Sequence, residues 1–122
     1  MANLNLIVLY VEDPAVSTAF YEKLLGAAPL VTSPNFHAFP MAGNGMLGLW
    51  RKSHVKPEPV GSGAANEIGI MLSDADAITA CYQSWVAAGI DIEQELATLD
   101  FGPTFVARDP DGHRIRVCLF DN

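Results

Sequence analysis

Glu67 and Arg116 are the residues of this chain whose chemistry is hardest to ignore. Each is a formal charge inside a short apolar, β-branched run, Glu67-Ile-Gly-Ile-Met-Leu72 and Arg114-Ile-Arg-Val-Cys-Leu119. A guanidinium can fork a carboxylate, which adds orientation to attraction. A buried charge without a partner is costly, so two readings stand for this pair: contact with each other, or contact with a ligand. Around them are aromatic, sulfur-bearing and glycine positions: Tyr10, Phe39, Met46, Gly48, Trp50, Gly69, Met71, Phe101 and Cys118. Offset stacking on such rings contributes about 0.5–1.5 kcal/mol beyond area burial. Glycine lets a flat ring come close to the backbone. His37, His54 and His113 lack the close pairing of metal motifs, and Cys81 and Cys118 lie far apart inside expected regular elements, which favours two buried thiols over a disulfide or a metal pair.

The elements that must position these residues come from an internal repeat. Ile7, Asp13, Thr18, Ala19 and Tyr21 recur as Ile68, Asp74, Thr79, Ala80 and Tyr82, all at one offset. Each half starts with a short apolar strand, 6–11 and 67–72, that leads through an Asp into a helical stretch. The first helix has Asp13 as N-cap, Pro14 at its first position and Gly26 as its stop, with Val16, Ala19, Phe20, Lys23 and Leu24 as the expected stripe. The second runs over about 75–88 and stops at Gly89, with Ile78, Cys81, Tyr82 and Trp85 inward. Three strand-like runs follow each helix: 30–32, 36–39 and 46–50, then 91–95, 104–107 and 114–119. The expected fold is α+β, two tandem βαβββ modules (1–50 and 66–122) in one domain, joined by a breaker-rich linker over 51–65. A four-stranded sheet with one helix leaves its other face open, so two modules make a curved mixed sheet with a concave cavity.

Alternation then sorts the strand residues. Leu6, Val8 and Tyr10, Met46, Gly48 and Trp50, Glu67, Gly69 and Met71, and Arg114, Arg116 and Cys118 are expected on the open side, with Phe39 also placed in the site. Trp50 reads either as a ligand platform or as filler at an interface, and Phe101 either as a lid or as a surface aromatic. Trp85 belongs to the core, and Asp109 to Gly112 form a turn.

Composition removes several classes. The chain has 122 residues, 50% hydrophobic and 17% charged, which suits one folded domain and excludes a disordered one. Seven basic against fourteen acidic residues give a net charge of −7, the wrong sign for nucleic acid or an anionic membrane. The apolar run 4–11 is too short to span a bilayer and has no basic flank, so a cytoplasmic protein is expected.

Val11-Glu-Asp-Pro14, Phe20-Tyr-Glu-Lys-Leu-Leu-Gly26 and Asp109-Pro-Asp-Gly-His-Arg-Ile115 resemble the vicinal-oxygen-chelate superfamily of glyoxalases, extradiol dioxygenases and bleomycin-resistance binders. The runs 67–72 and 109–118 look like the phenazine-antibiotic resistance proteins of that superfamily, which implies a binder rather than a catalyst. Enzymes of the superfamily hold a divalent metal on the first and last strands of each module. Residue by residue, the resemblance puts those positions at Leu6, Gly48, Glu67 and Arg116, of which only Glu67 is a possible ligand. The expectation is therefore a homodimer without cofactor or metal that sequesters a planar aromatic antibiotic or metabolite, phenazine-like, in a cavity shared between chains. The alternative is a metal-dependent enzyme of the superfamily, or a metal-free one using Glu67 as general base.

Overall fold

The computed structural model describes residues 2–61 and 66–120. The chain divides into two compact units, Met1–Gly61 and Ser62–Asn122. The first contains β1 (Leu6–Val11), α1 (Pro14–Leu25), β2 (Val31–Ser33), β3 (Phe36–Pro40) and β4 (Met46–Arg51). The second contains β5 (Glu67–Leu72), α2 (Ala75–Ala87), β6 (Asp91–Leu99), β7 (Gly102–Arg108) and β8 (Arg114–Leu119). Both are βαβββ, and their sheets have equivalent orders, β1-β4-β3-β2 and β5-β8-β7-β6. The first and last strands of each unit pair in parallel, and the others antiparallel. Two mixed sheets, each with one helix, make the α+β fold that the repeat predicts.

The helix ends follow from the capping residues. Asp13 accepts the Ala15 N–H at 3.0 Å and Asp74 accepts the Ala77 N–H at 2.8 Å, each satisfying a donor that the first turn leaves open. Gly26 closes α1 at φ +63, with its N–H donating to the Glu22 carbonyl. After α2, Gly89 takes φ +76, and the N–H groups of Gly89 and Ile90 donate back to Val86 and Trp85, a Schellman arrangement.

Core packing matches the expected faces with two exceptions. In unit two, Ile78 and Trp85 of α2 are buried with Phe105, Ile115 and Val117, and the Phe105 ring lies 5.1 Å from Tyr82 and 5.3 Å from Trp85. In unit one the buried residues of α1 are Pro14, Ser17, Thr18, Tyr21 and Leu24, whereas Val16, Ala19 and Lys23, expected inward, are exposed and Phe20 is half-buried. Apolar residues are spread around α1, so hydrophobicity alone does not mark one side. Packing of Tyr21 on Phe39 and a 2.6 Å hydrogen bond between Thr18 and His37 settle it.

Phe39 is the second exception. It pairs with Leu47 across the β3–β4 ladder and is fully buried on the helix side, so it does not share the open face with Trp50. Strand β6 continues to Leu99, past the expected end at 95, and its pairing with β7 has register shifts between Ile92 and Gln94 and between Gln94 and Ala97. Part of the expected linker is folded: Arg51 ends β4, Lys52–His54 form a 3-10 turn, and Val55 is buried. Residues 62–65 of that linker lie outside the described residues, as do 121–122 of module two.

Candidate functional site

The open face of unit one is built by three strands in register. Leu6, Val8 and Tyr10 of β1 stand beside Met46, Gly48 and Trp50 of β4, and Phe36 of β3 is opposite Trp50. Tyr10 and Trp50 meet edge to face, ring centroids 6.3 Å apart and planes at 82°. Leu6 and Tyr10 are exposed, while Met46, Trp50 and Phe36 are half-buried. The Phe36 ring lies on Gly48: a Cβ there would stand 2.7 Å from Phe36 Cζ and 2.8 Å from Cε2. The close approach of a ring to glycine is therefore made by the chain's own Phe36, which the sequence reading passed over in favour of Phe39. Gly48→Ala is expected to displace that ring and cost about 1–3 kcal/mol. Denaturant titration checks it, and Phe36→Leu in the same chain should recover part of the loss.

The open face of unit two is polar. Glu67, Gly69 and Met71 of β5 stand beside Arg114, Arg116 and Cys118 of β8. Arg116 Nε donates to Glu67 Oε2 at 2.6 Å, and its Nη1 donates to Thr104 Oγ1 at 3.2 Å. The buried Thr104 hydroxyl donates in turn to the Val117 carbonyl. Phe101, half exposed beside the start of β7, has its ring centroid 5.7 Å from Arg116 Cζ, within cation–π range. Arg114 pairs with Glu93 at 2.6 Å, and Arg108 bridges Asp91 and Glu93. Beside this network the sheet has a gap. A Cβ at Gly69 would meet only the Arg116 carbonyl, at 3.9 Å.

The structure thus puts Tyr10, Met46, Gly48 and Trp50 together on one sheet, and Glu67, Met71, Arg116 and Cys118 together on the other, with Phe101 reaching Arg116 from the turn between β6 and β7. Of the two readings of Glu67 and Arg116, pairing with each other is the one seen. The metal positions do not fit a divalent ion. Leu6, Gly48 and Arg116 offer no side-chain acceptor, and Glu67 gives an oxygen to a guanidinium, whereas a catalytic site needs about three protein ligands.

Asp109, Asp111 and His113 bring their side-chain ligand atoms within 4.8 Å of one another in the turn before β8, where the contacts seen are hydrogen bonds within the turn. Asp109 Oδ1 accepts the N–H groups of Asp111 and His113 at 2.9 and 2.8 Å, and Oδ2 is 2.8 Å from His113 Nδ1. That hydrogen bond raises the His113 pKa above its ordinary value, against the lowering effect of burial, with further help from the charges of Asp109 and Asp111. The Asp109–His113 pair escaped the sequence reading, although the turn itself did not. Cys81 and Cys118 are free and half-buried, and burial pushes the Cys81 thiol up. A cavity of about 370 Å³ lies in unit one against Glu12, Lys52, Val55 and Glu58, and none of its lining residues belongs to that unit's open face. Among the described residues, no helix is long and apolar enough to cross a membrane.

Comparison with known proteins supports the architecture. The chain is 35% identical over 121 residues to the phenazine antibiotic resistance protein EhpR of Enterobacter agglomerans, covering 96% of this chain and 92% of that protein. A solution NMR structure of a protein from Agrobacterium tumefaciens matches all of both chains at 36% identity and a TM-score of 0.86. A glyoxalase-related enzyme from Fulvimarina pelagi has the same fold at 20% identity, with a TM-score of 0.83 over 96% of this chain and 87% of its own. Residues 3–117 match the profile of one family, and with the paired βαβββ units this places the chain in the Glyoxalase/Bleomycin resistance protein/Dioxygenase superfamily.

Proposed function

We propose that this protein is a resistance protein that binds rather than transforms its target, sequestering a planar aromatic antibiotic or metabolite of the phenazine type. The observation that carries the proposal is the Arg116–Glu67 ion pair, at two of the positions that the superfamily resemblance assigns to metal ligands. It leaves an orienting cation where Lewis-acid chemistry would need donors. Similarity to a phenazine resistance protein supports the ligand class. Tyr10 and Trp50 on unit one, and the space over Gly69 on unit two, are each surfaces suited to a flat ring, and the proposal assigns the enclosing of the ligand to a second copy of the chain. Sequestration needs sub-micromolar binding, about 8 kcal/mol or more, which stacking, burial and one charge-assisted bond can supply.

The test is a titration of metal-stripped protein with phenazine-1-carboxylate, followed by tryptophan fluorescence and calorimetry. The expected result is saturation at one ligand per chain, indifferent to Zn²⁺ or Ni²⁺. Arg116→Ala should weaken binding roughly tenfold or more. Trp50→Phe, read by calorimetry, should weaken it by a smaller factor, about two- to tenfold. Binding or turnover that begins only when metal is added would return the protein to the enzymes.

A further inference from the structure

The surroundings of Arg116 contain two chemically distinct groups. A carboxylate oxygen sits on Nε at 2.6 Å, and an aromatic ring centroid lies 5.7 Å from Cζ. Both belong to unit two, and neither is fixed by burial: the Glu67 side chain is 38% exposed and Phe101 is 50% exposed. The guanidinium is held more firmly. It is 19% exposed, and its Nη1 is anchored to the fully buried Thr104, whose hydroxyl is tied to the Val117 carbonyl. A firmly placed cation with two exposed partners is a recognition group covered by parts of its own chain.

We infer that Glu67 and Phe101 occupy the Arg116 subsite as internal substitutes for a ligand that carries an acidic group on an aromatic ring, and that Glu67 is the residue that sets selectivity for such acids. The inference rests on the proposed binding role and names the ligand chemistry for it: an aromatic carboxylate rather than a neutral heteroaromatic. With Nη1 held by Thr104, an incoming carboxylate that forks the Nε and Nη2 edge displaces Glu67 Oε2 from Nε, so its affinity there is reduced by the strength of the internal contact. A neutral ring gains nothing from that exchange. Glu67 thereby acts as a threshold that only a good anion passes, in the manner of specificity built by competition.

Three probes and two variants decide it. Phenazine-1-carboxylate should bind Glu67→Gln about tenfold more tightly than the wild type, while unsubstituted phenazine should change by less than about twofold. Arg116→Gln should erase the preference for the acid. Weaker acid binding in Glu67→Gln would overturn the inference and make Glu67 a support for Arg116. An equal gain for both phenazines would overturn it too. Benzoate separates this inference from the proposed function. It should shift the Arg116 Nε–H resonance in Glu67→Gln at about a tenfold lower concentration than in wild type. If benzoate does so while no phenazine binds any variant, the ligand reading fails and the subsite stands. If benzoate leaves that resonance unmoved in Glu67→Gln, the subsite itself is refuted.

Discussion

Replacing Asp109 by Ala is expected to lower the unfolding free energy by about 3–5 kcal/mol, the range for removing one member of a buried, hydrogen-bonded pair. The Asp109 side chain is fully buried, and its two oxygens bind the N–H groups of Asp111 and His113 and the imidazole of His113. Without them, the turn into β8 loses its template, and β8 is the strand that carries Arg116. The loss should depend on pH with a defined sign. The folded pKa of His113 is raised above 6.5, so the extra stabilisation is complete below 6.5 and disappears as pH rises through the folded value. The gap between wild type and Asp109→Ala is therefore larger at about pH 5.5 than at about pH 8.5. Urea titrations at the two pH values measure it, and an equal gap at both would show that His113 protonation is not coupled to folding.

Phe105→Ala is expected to cost about 3–5 kcal/mol, a large share of a typical total of about 5–15 kcal/mol. Phe105 is fully buried between Tyr82 and Trp85 and makes edge contacts with both, so its removal leaves a cavity that a β-sheet and a capped helix cannot readily collapse. The denaturation midpoint should fall with the slope unchanged. In a Trp50→Phe background, emission from Trp85 should shift to the red as water gains access to the indole. Phe105→Leu should lose much less, and equal losses for Leu and Ala would point to a ring-specific contact instead of volume.

The fold was legible because each half repeats the same sequence of signals: Asp cap, three- and four-residue helical spacing, glycine stop, alternating strands. Parity placed Leu47 and Leu49 in the core and Trp50 on the open face, as found. At β3 alternation alone does not choose a face, because Phe36 and Phe39 are three positions apart, point to opposite faces and are both aromatic, and the sequence reading places Phe39 in the site without making that choice. The decisive constraint was available through pairing. A tight turn between β3 and β4 puts Phe39 opposite Leu47, so a core Leu47 implies a core Phe39 and an open Phe36. The stripe on α1 was misjudged because the buried face uses two hydroxyl residues, one of which finds a histidine on β3. The Arg116–Glu67 contact was one of two readings, and only side-chain geometry separates them.

The parallel pairing of first and last strands also dictates an order of events at the ribosome. Leu6 of β1 meets Met46, 40 positions later, and Glu67 of β5 meets Arg114, 47 positions later. By contrast, β3 meets β4 and β7 meets β8 within six positions, at Pro40 with Met46 and at Arg108 with Arg114. The hairpins close over short loops, and the opening strand waits. At a synthesis rate of about 5–20 residues per second, β1 emerges about 2–8 s before its partner exists. Throughout that interval Leu6-Ile-Val-Leu-Tyr-Val11 is an apolar segment without its partner strand, and Glu67–Leu72 of β5 has the longer wait, so each half passes through a stage with an unpaired apolar edge.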